Sequence, residues 1–518
     1  MKQRRLIALI ALALGSPVGV PVGVPVGVPV GVPVWAQDAL SRRDREERAY
    51  PVTTCPLPDD VELEVGALAV VKGPAGPRVL AATRRGEIWA VDGFAGDEVA
   101  SEPEFLLAVE GLHEPLGLIV ERGGALVSAC RGALMRLVDG DRDGRYETQT
   151  VVGDGWHLSG NYHEYNFGPA RAIDGTYWIT TNKPFGSQPF GKVDWRGYAL
   201  RITSDGEVTP MCSGLRSPAG VGTSPWGEVF YTDNQGEWCG ASKLSLLRAG
   251  SHHGHPSGLE STDLDEWTFP RPKALPEGEL YPDIDAAGDH PAFQMPSVWF
   301  PYDDMGRSPA GFVWDRTDGK FGPFTGQLFV GDQYEAAVFR VDLERVRDHW
   351  QGACFRFREG LQSGAVRLAF APSGALLVGE TDRGWGSKGP ETQGLERIDW
   401  SGEVPFEILT MRLLPKRPGF RLRFTAPADP ATIADGSAFR FESYTYAATE
   451  RYGSPELDVG TPTVRSVTAH DDGLGVDLVI DGLREGYVHE LDASAVRSAE
   501  DDLGLLHPKA FYTLVRFR

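Results

Sequence analysis

Short apolar runs recur along most of the chain, and they are rich in strand-forming residues and closed by turn residues. The runs form a repeated unit of strand, glycine-containing turn, strand, polar loop and strand, and six such units follow one another. Their strands are predicted at 66–70, 79–83 and 87–91; 115–119, 125–129 and 133–137; 168–172, 177–181 and 198–202; 217–221, 228–232 and 243–247; 308–312, 327–331 and 337–341; and 366–370, 375–379 and 395–399. Helical periodicity is nearly absent, and residues 343–350 are predicted as one short helix.

A sheet repeated six times predicts a six-bladed β-propeller over residues 61–402, because radial closure leaves only short, protected sheet edges. Two long insertions, at roughly 182–197 and 250–300, are expected as loops on one face of the propeller. Such loops are where propellers bind ligands.

The pattern changes after residue 402. Segments 419–424 and 475–480 alternate strictly between apolar and polar residues, and turns separate the other short runs. This pattern predicts an immunoglobulin-like β-sandwich over 403–518, with a structural role in packing or spacing. The whole fold is therefore expected to be all-β.

The N-terminal end predicts export. Three basic residues precede an apolar run at 6–14, which is shorter than the roughly 20 residues needed to span a bilayer. A Val-Gly-Val-Pro repeat follows, and Val-Trp-Ala at 34–36 fits a cleavage site. We predict a signal peptide over 1–36, a linker over 37–60, no stable membrane span, and a periplasmic or secreted protein. An uncleaved N-terminal anchor is the alternative.

Charge and cysteine usage narrow the function classes. The chain has 51 Lys and Arg against 72 Asp and Glu, a net charge of −21, which disfavours nucleic acid and anionic membranes as partners. None of the five cysteines stands in a C-x-x-C pair, so zinc-ribbon, thiol-redox and c-type haem motifs are excluded. One or two disulfides remain possible in an oxidising compartment, with Cys212 and Cys239 as a candidate pair.

Three carboxylates at alternate positions suggest a metal site. Asp139, Asp141 and Asp143 precede Gly144 in the D-x-D-x-D-G order that wraps oxygen ligands around Ca²⁺. The twelfth position is Thr150 instead of glutamate, so the loop is not a complete EF-hand. An empty, solvated turn is the alternative.

His163 is the candidate general base. It precedes the first strand of the third repeat, where a propeller strand starts next to the central channel. Glu164 or Asp154 could orient its ring. The alternative is a hydrogen-bonded channel histidine without a catalytic role.

Equivalent positions of the other repeats carry amide, guanidinium and indole groups, which suit a flat polyanionic cofactor or a sugar ring. They are Arg216, Asn234, Gln235, Gly236, Trp238, Gln333, Arg367, Arg383 and Trp385. Hydrogen bonds that close the blades are the alternative role. His252, His253 and His255 also cluster, and a loop at the channel mouth is favoured over a metal site.

Several of these segments resemble the glucose/sorbosone dehydrogenase family of soluble quinoprotein propellers. The resemblance rests on 161–163, 216–220, 231–238 and 367–374, and it covers roughly 60–518. Segments 320–333, 351–355 and 383–386 are similar to a branch described in planctomycete-type bacteria as membrane-bound dehydrogenases.

The resemblance implies a mechanism. A histidine at the position of His163 takes the proton of a sugar hydroxyl while hydride passes to pyrroloquinoline quinone (PQQ). Arg216 and Arg367 fall where the cofactor is contacted, and Gly236 lies near the segment whose carbonyls hold the cofactor's Ca²⁺. The sequence departs from the family at Ser217, where asparagine is usual, and near Gln333, where a cofactor-binding lysine is expected.

The sequence thus favours an exported sugar or polyol dehydrogenase that passes electrons to a separate acceptor. His163 would be the base. Arg216, Asn234, Gln235, Gly236, Gln333 and Arg367 would bind the cofactor, and Trp238, Arg383 and Trp385 would bind the carbohydrate. Two alternatives remain: a carbohydrate-binding propeller without catalysis, and a metal-dependent hydrolase or lactonase.

Overall fold

The computed structural model describes residues 34–186 and 193–518, with side chains from residue 42 onward. Residues 42–518 form one compact unit. Residues 1–33, which hold most of the predicted export signal and its Val-Gly-Val-Pro repeat, lie outside the described residues. Residues 187–192, the centre of the first predicted insertion, also lie outside them. No helix in the described part of the chain is long and apolar enough to cross a membrane.

The predicted six blades are confirmed. After a helix α1 (Val34–Ala49) and a short strand β1 (Val52–Thr54), twenty-three strands and β1 build six antiparallel blades of four strands each. Blades 1 to 3 consist of β2–β5 (Val65–Lys72, Pro77–Thr83, Ile88–Asp92, Glu104–Val109), β6–β9 (Leu118–Val120, Leu126–Ala129, Leu134–Val138, Thr148–Gly153) and β10–β13 (Asn166–Arg171, Tyr177–Thr181, Ala199–Ile202, Val208–Cys212).

Blades 4 to 6 complete the ring. They consist of β14–β17 (Pro218–Thr223, Val229–Asp233, Ser242–Leu246, Val298–Phe300), β18–β21 (Pro309–Trp314, Leu328–Asp332, Ala337–Val346, His349–Glu359) and β22–β24 (Ala365–Phe370, Leu376–Thr381, Gln393–Ile398) with β1 as the outer strand. A short helix α2 (Tyr281–Ala287) and a 3₁₀ turn (Leu259–Asp263) lie in the long insertion of blade 4.

The N-terminal and C-terminal parts of the propeller meet in blade 6. Strand β1 pairs with β24 in the register Val52 with Ile398. The segment 37–60, expected as a linker, therefore supplies the fourth strand of this blade. Closing the ring with an early strand ties its two ends together and removes an open edge.

The short helix predicted at 343–350 is wrong. These residues form the tip of the long hairpin between β20 and β21, where Val346 pairs with His349 and Arg347 adopts a positive φ of 55°. Both strands are buried along nearly their whole length, and this packing against neighbouring elements overrides the weak local helical pattern.

The predicted C-terminal sandwich is confirmed as two packed sheets. Its strands are β25 (Ile408–Leu413), β26 (Gly419–Phe424), β27 (Arg440–Thr445), β28 (Leu457–Gly460), β29 (Thr463–Ala469), β30 (Gly475–Asp481), β31 (Tyr487–Asp492) and β32 (Lys509–Leu514), with a short helix α3 (Pro430–Ile433) and a 3₁₀ turn (Gly436–Ala438) after β26. One sheet has the order β25-β26-β30-β29. The other, β32-β31-β27-β28, hydrogen-bonds to β21, so blade 5 and this sheet form one eight-stranded sheet.

All five cysteines are buried and unpaired. Cys212 and Cys239, the candidate pair, do not form a disulfide. Burial raises the pKa of both thiols to about 12, so they stay protonated and behave as small apolar core residues.

Candidate functional site

The candidate site lies at one end of the propeller channel, which we call the channel mouth. In every blade the first strand starts, and the second strand ends, at this end, because the two strands are antiparallel. The residues that follow the second strands are therefore brought together although they are far apart in sequence. They are Arg84, Arg131, Lys183, Asn234, Gln333 and Arg383.

His163 lies among aromatic side chains at the channel mouth. Its ring centroid is 5.2 Å from those of Tyr162 and Phe185, 5.8 Å from that of Trp385 and 6.0 Å from that of Tyr165. The ring atom Nδ1 is buried and has no hydrogen-bond partner among the described residues. The residue as a whole is only partly buried, so a ligand would approach the ring away from Nδ1, where Nε2 is the other nitrogen.

The backbone around His163 is held by Asn161 and Arg131. The buried Asn161 side chain accepts a hydrogen bond from the His163 amide at 2.9 Å and donates one to the Phe185 carbonyl at 2.5 Å. Arg131 donates to the carbonyls of Asn161 and Tyr162 at 3.1 and 2.9 Å. These bonds join the loop before blade 3 to the β7–β8 loop of blade 2 and to the β11–β12 loop of blade 3, and they fix the backbone of the histidine.

Glu164 does not orient the histidine ring. Its carboxylate accepts hydrogen bonds from the amides of Ser159 and Gly160 and from the Ser159 hydroxyl, so it is used by its own loop. Asp154 is exposed, and no hydrogen bond or ion pair joins its carboxylate to the ring. The sequence alone could not show this, because both carboxylates lie within ten residues of His163.

The first of two similar charge clusters lies on one side of His163. The buried carboxylate of Glu114 bridges two guanidinium groups. It accepts hydrogen bonds from Nε of Arg84 at 3.0 Å and from Nε of Arg131 at 2.9 Å. Both guanidinium carbons lie over the ring of Tyr165, at 4.8 and 5.1 Å from its centroid. We call these four residues the Glu114 cluster, and its net charge is +1.

The second cluster lies on the Phe185 side. The Glu237 carboxylate lies 2.7 and 2.6 Å from Nε and Nη2 of Arg216. It also accepts a hydrogen bond from Nζ of Lys183 at 3.4 Å. The two cations lie over the ring of Phe185, at 4.9 and 4.0 Å from its centroid. We call this group the Glu237 cluster, and it repeats the plan of two cations, one carboxylate and one aromatic ring.

A fifth cation, Arg383, pairs with Glu64 at 2.5 Å. Within these ion-paired groups five cationic side chains face three carboxylates, an excess of two positive charges, although the chain as a whole carries −21. Such a local field attracts anions. The bridging glutamates were missed by the sequence reading, because nothing local marks them as partners of these arginines.

The same field acts on His163. Burial lowers the pKa of its imidazole below 6.5, and the cations of the two clusters lower it further. The imidazole is therefore neutral at pH 7, with one nitrogen available to accept a proton.

The predicted amide ligands bond mainly to the protein. Asn234 donates to the Ser217 carbonyl at 3.0 Å, and its buried Oδ1 has no partner. Gln235 donates to the Gly240 carbonyl at 3.1 Å. Gln333 donates to the Arg383 carbonyl at 3.0 Å, and with Arg84 it holds the loop that carries Trp385.

Gly236 lies directly against Arg216. A Cβ at this position would come within 1.9 Å of the guanidinium, so only glycine allows the arginine to reach Glu237. The Gly236 amide and carbonyl also pair with Cys239 in a tight turn. Its carbonyl is thus already engaged where the family resemblance places a calcium ligand.

Arg367 lies inside the channel, beneath the mouth. It donates to the carbonyls of Leu116 and Ala219 at 2.9 and 3.0 Å, which connects blades 2, 4 and 6 across the axis. Two cavities, of about 30 and 250 Å³, flank it, and it lines both. These contacts give Arg367 a structural role, because its hydrogen bonds hold three blades together across the channel.

Of the predicted carbohydrate contacts, Trp385 and Arg383 face the channel mouth, whereas Trp238 does not. Trp238 is only 8% exposed, and its amide donates to the Thr449 carbonyl of the sandwich domain at 2.7 Å. Trp385 is 36% exposed and contacts both His163 and Tyr165.

The candidate metal ligands lie at the opposite end of the propeller, in the loop between β8 and β9. Ligand atoms of Asp139, Asp141 and Glu147 come within 4.8 Å of one another, and Asp143 is not in this group. Asp143 instead accepts a hydrogen bond from the Arg145 amide. Calcium at this loop stays a prediction from the sequence.

The three clustered histidines are buried in the blade 4 insertion. His252 pairs with the hydroxyl of Ser213 and His253 with that of Ser251, both at 3.0 Å. Among the described residues they belong to no group of three close metal ligands. Burial lowers the pKa of each, so they are neutral packing residues.

Comparison with known proteins gives a partial family match. Residues 82–260 match a family described as a domain of unknown function, DUF7133. No curated protein matches the chain significantly.

Several solved structures are similar at low identity. They include PQQ-bound aldose sugar dehydrogenase from Streptomyces coelicolor (15% identity, TM-score 0.45, covering 68% of this chain and 98% of that chain) and the soluble aldose sugar dehydrogenase from Escherichia coli (16%, 0.45, 68% and 99%). Another is the PQQ domain of pyranose dehydrogenase from Coprinopsis cinerea (11%, 0.45, 68% and 97%).

Proposed function

We propose that the channel mouth oxidises a hydroxyl group of a carbohydrate, with His163 as the proton acceptor. The observation that carries this proposal is a neutral histidine, walled by aromatic rings, between two cationic clusters. A neutral imidazole can take the hydroxyl proton, and the nearby positive charge stabilises the alkoxide character that develops on the substrate oxygen.

The donor set also fits a polyanionic quinone cofactor of the PQQ type. PQQ carries carboxylates, and the Glu114 and Glu237 clusters each keep one uncompensated positive charge and guanidinium groups that suit carboxylates. The cavity beneath Trp385 is about 30 Å³, so the cofactor would lie on the channel mouth, above Arg367.

When bound, PQQ supplies the group that accepts hydride from the carbon that bears the reacting hydroxyl. His163 Nε2 takes the proton of that hydroxyl, so a carbonyl product forms and both electrons leave with the hydride. Asn161 keeps the ring in place, and Phe185 and Trp385 exclude water beside it. The electrons would then pass to a separate acceptor, and an exported location would suit such chemistry.

A carbohydrate-binding propeller without catalysis is the second candidate. It is supported by the contacts of Gln235, Gln333 and Arg367, which the sequence assigned to the cofactor and which bond to backbone carbonyls of the protein. The third candidate, a metal-dependent hydrolase working in the channel, lacks such support. The one group of close acidic ligands in the described residues lies at the other end of the propeller.

The decisive experiment adds PQQ and Ca²⁺ to the purified protein and follows quinone absorbance and reduction of an artificial dye with a panel of aldoses. A shifted absorbance and sugar-dependent dye reduction are expected. His163→Ala should lower turnover by roughly 10²–10⁴-fold while leaving the melting temperature unchanged. The matched control is His157→Ala, at an exposed histidine of the same connecting segment.

No absorbance change and no dye reduction would reject the dehydrogenase in favour of the binding protein. Turnover that survives in His163→Ala would instead remove this residue as the base.

A further inference from the structure

The C-terminal sandwich reaches the channel mouth through the loop 446–456, between β27 and β28. This loop lies along the blade 4 insertion. Tyr281 and Gly278 donate backbone hydrogen bonds to the carbonyls of Tyr446 and Ala448 at 3.1 and 2.6 Å, and Ala448 donates to the Glu279 carbonyl at 2.9 Å.

Side-chain contacts fix the next part of the loop. The Glu277 carboxylate accepts hydrogen bonds from the Thr449 hydroxyl and the Glu450 amide at 3.0 and 2.9 Å. Ser454 donates its amide to the Gly240 carbonyl at 2.9 Å. The tip of the loop is therefore bound to the propeller on both sides.

This docking places Tyr452 at the edge of the site. The guanidinium carbon of Arg216 lies 5.2 Å from the Tyr452 ring centroid and 4.9 Å from that of Phe185, so the arginine is held between the two rings. Gly453 follows at a φ of 70° and lies against the side chain of Gln235, where a Cβ would approach within 2.6 Å. Only a residue without a side chain brings the loop this close.

Tyr452 is also the most accessible aromatic ring near the site. It is 64% exposed, whereas the neighbouring Trp238 is 8% exposed beneath the same loop. Arg216 covers one side of the ring, so much of the rest is open to a ligand. A flat apolar face beside charged hydrogen-bonding groups is suited to the apolar face of a sugar ring.

The planar groups form a continuous row from the channel mouth outward. Trp385, His163, Phe185, Arg216 and Tyr452 follow one another, with successive separations between 4.9 and 5.8 Å. Among the described residues Tyr452 makes no ring contact with His163 and is linked to it only through Arg216 and Phe185, so a ligand that touches both must pass these groups. A ligand that uses both ends must contain more than one ring.

We propose that Tyr452 forms an outer subsite which binds a second sugar unit of an oligosaccharide while the reacting unit lies beside His163. This inference rests on the proposed carbohydrate ligand, and it assigns the sandwich domain a part in ligand selection. Tyr452 touches no reacting atom and acts on affinity for longer ligands.

The test is calorimetric binding of glucose, maltotetraose, cellotetraose and xylotetraose to the full chain without added cofactor. In the wild type at least one tetrasaccharide should bind more tightly than glucose. Tyr452→Ala should weaken that binding about tenfold and leave glucose binding unchanged, since aromatic stacking of this kind contributes on the order of one factor of ten. Tyr452→Phe keeps the ring and should bind like the wild type.

Val459→Ala is the matched control, because Val459 is 55% exposed on β28 of the same domain and lies outside the row. Equal weakening of glucose and tetrasaccharide in Tyr452→Ala, or no weakening of either, would overturn the outer subsite. So would a wild type that binds no tetrasaccharide more tightly than glucose. Dye reduction with monosaccharides would still stand in those cases, so the two proposals fail separately.

Discussion

His507 holds together three parts of the molecule, and its removal gives a sharp prediction. Its Nδ1 lies 2.7 Å from a carboxylate oxygen of Glu407 in the sandwich, and its Nε2 lies 3.0 Å from one of Glu46 in α1. All three side chains are at most 3% exposed. Arg358 of blade 5 lies 3.7 Å from Glu46, so the network also reaches the propeller.

The two carboxylates keep this imidazole charged. Burial by itself lowers the pKa of His507, but the charges and hydrogen bonds of Glu407 and Glu46 outweigh it and raise the pKa from 6.5 to about 9. This difference corresponds to about 3 kcal/mol of folding free energy. The folded pKa is raised, so the contribution is fully present below pH 6.5 and is lost as the pH rises through 9.

His507→Gln removes the positive charge and leaves two buried carboxylates facing each other. We expect the variant to be less stable than the wild type by about 3 kcal/mol at pH 6, and the difference to shrink steadily towards pH 9. Urea denaturation and melting temperatures at pH 6, 7.5 and 9 measure it.

His489→Gln is the matched control. His489 is buried in the same domain, but burial lowers its pKa to about 3, so it is neutral throughout this pH range. Its replacement can change stability, but the change should not depend on pH between 6.5 and 9. If the difference in unfolding free energy between the wild type and His507→Gln stays constant over that range, His507 is not charged in the folded protein.

Three further results are expected. Lys183→Met removes one positive charge that lowers the pKa of His163, so the acidic limb of the pH–rate profile should move to higher pH. A limb that does not move would show that it does not report the titration of His163. Asn161→Ala should lower kcat with little change in ligand affinity, because it releases the bonds to His163 and Phe185; steady-state kinetics would show it. Arg367→Met removes two hydrogen bonds to backbone carbonyls, so it should lower stability by about 1–3 kcal/mol and leave PQQ affinity unchanged. Loss of binding in a titration with PQQ would contradict this expectation.

The local residue pattern was sufficient for the architecture. Blade strands are short, rich in apolar and β-branched residues, and bounded by glycine turns, so each carries its own signal in a few consecutive residues. The six repeats and the sandwich were therefore predicted. The hairpin at 343–350 was missed because its strand character comes from pairing between β20 and β21, which a helical-looking window does not reveal.

The sequence likewise predicted only part of the candidate site. The sequence placed His163, Arg216 and Trp385 at one end of the channel, because equivalent positions of successive repeats must converge on the axis. It did not identify the bridging carboxylates. Glu114 lies 30 residues from Arg84 and is brought to it by the packing of blades 1 and 2, whereas Glu64 lies 319 residues from Arg383 and meets it only because the ring closes.

What the sequence determined by itself is thus the repeated strand pattern and the end of the propeller where polar loops collect. The tertiary structure alone decided how the charges are paired, which ring faces a ligand and which is covered. Trp238 is the more conspicuous aromatic residue in sequence, yet the loop 446–456 buries it and offers Tyr452 instead. The physical reason is that burial and ion pairing depend on neighbours in space, which here lie from tens to hundreds of residues away along the chain.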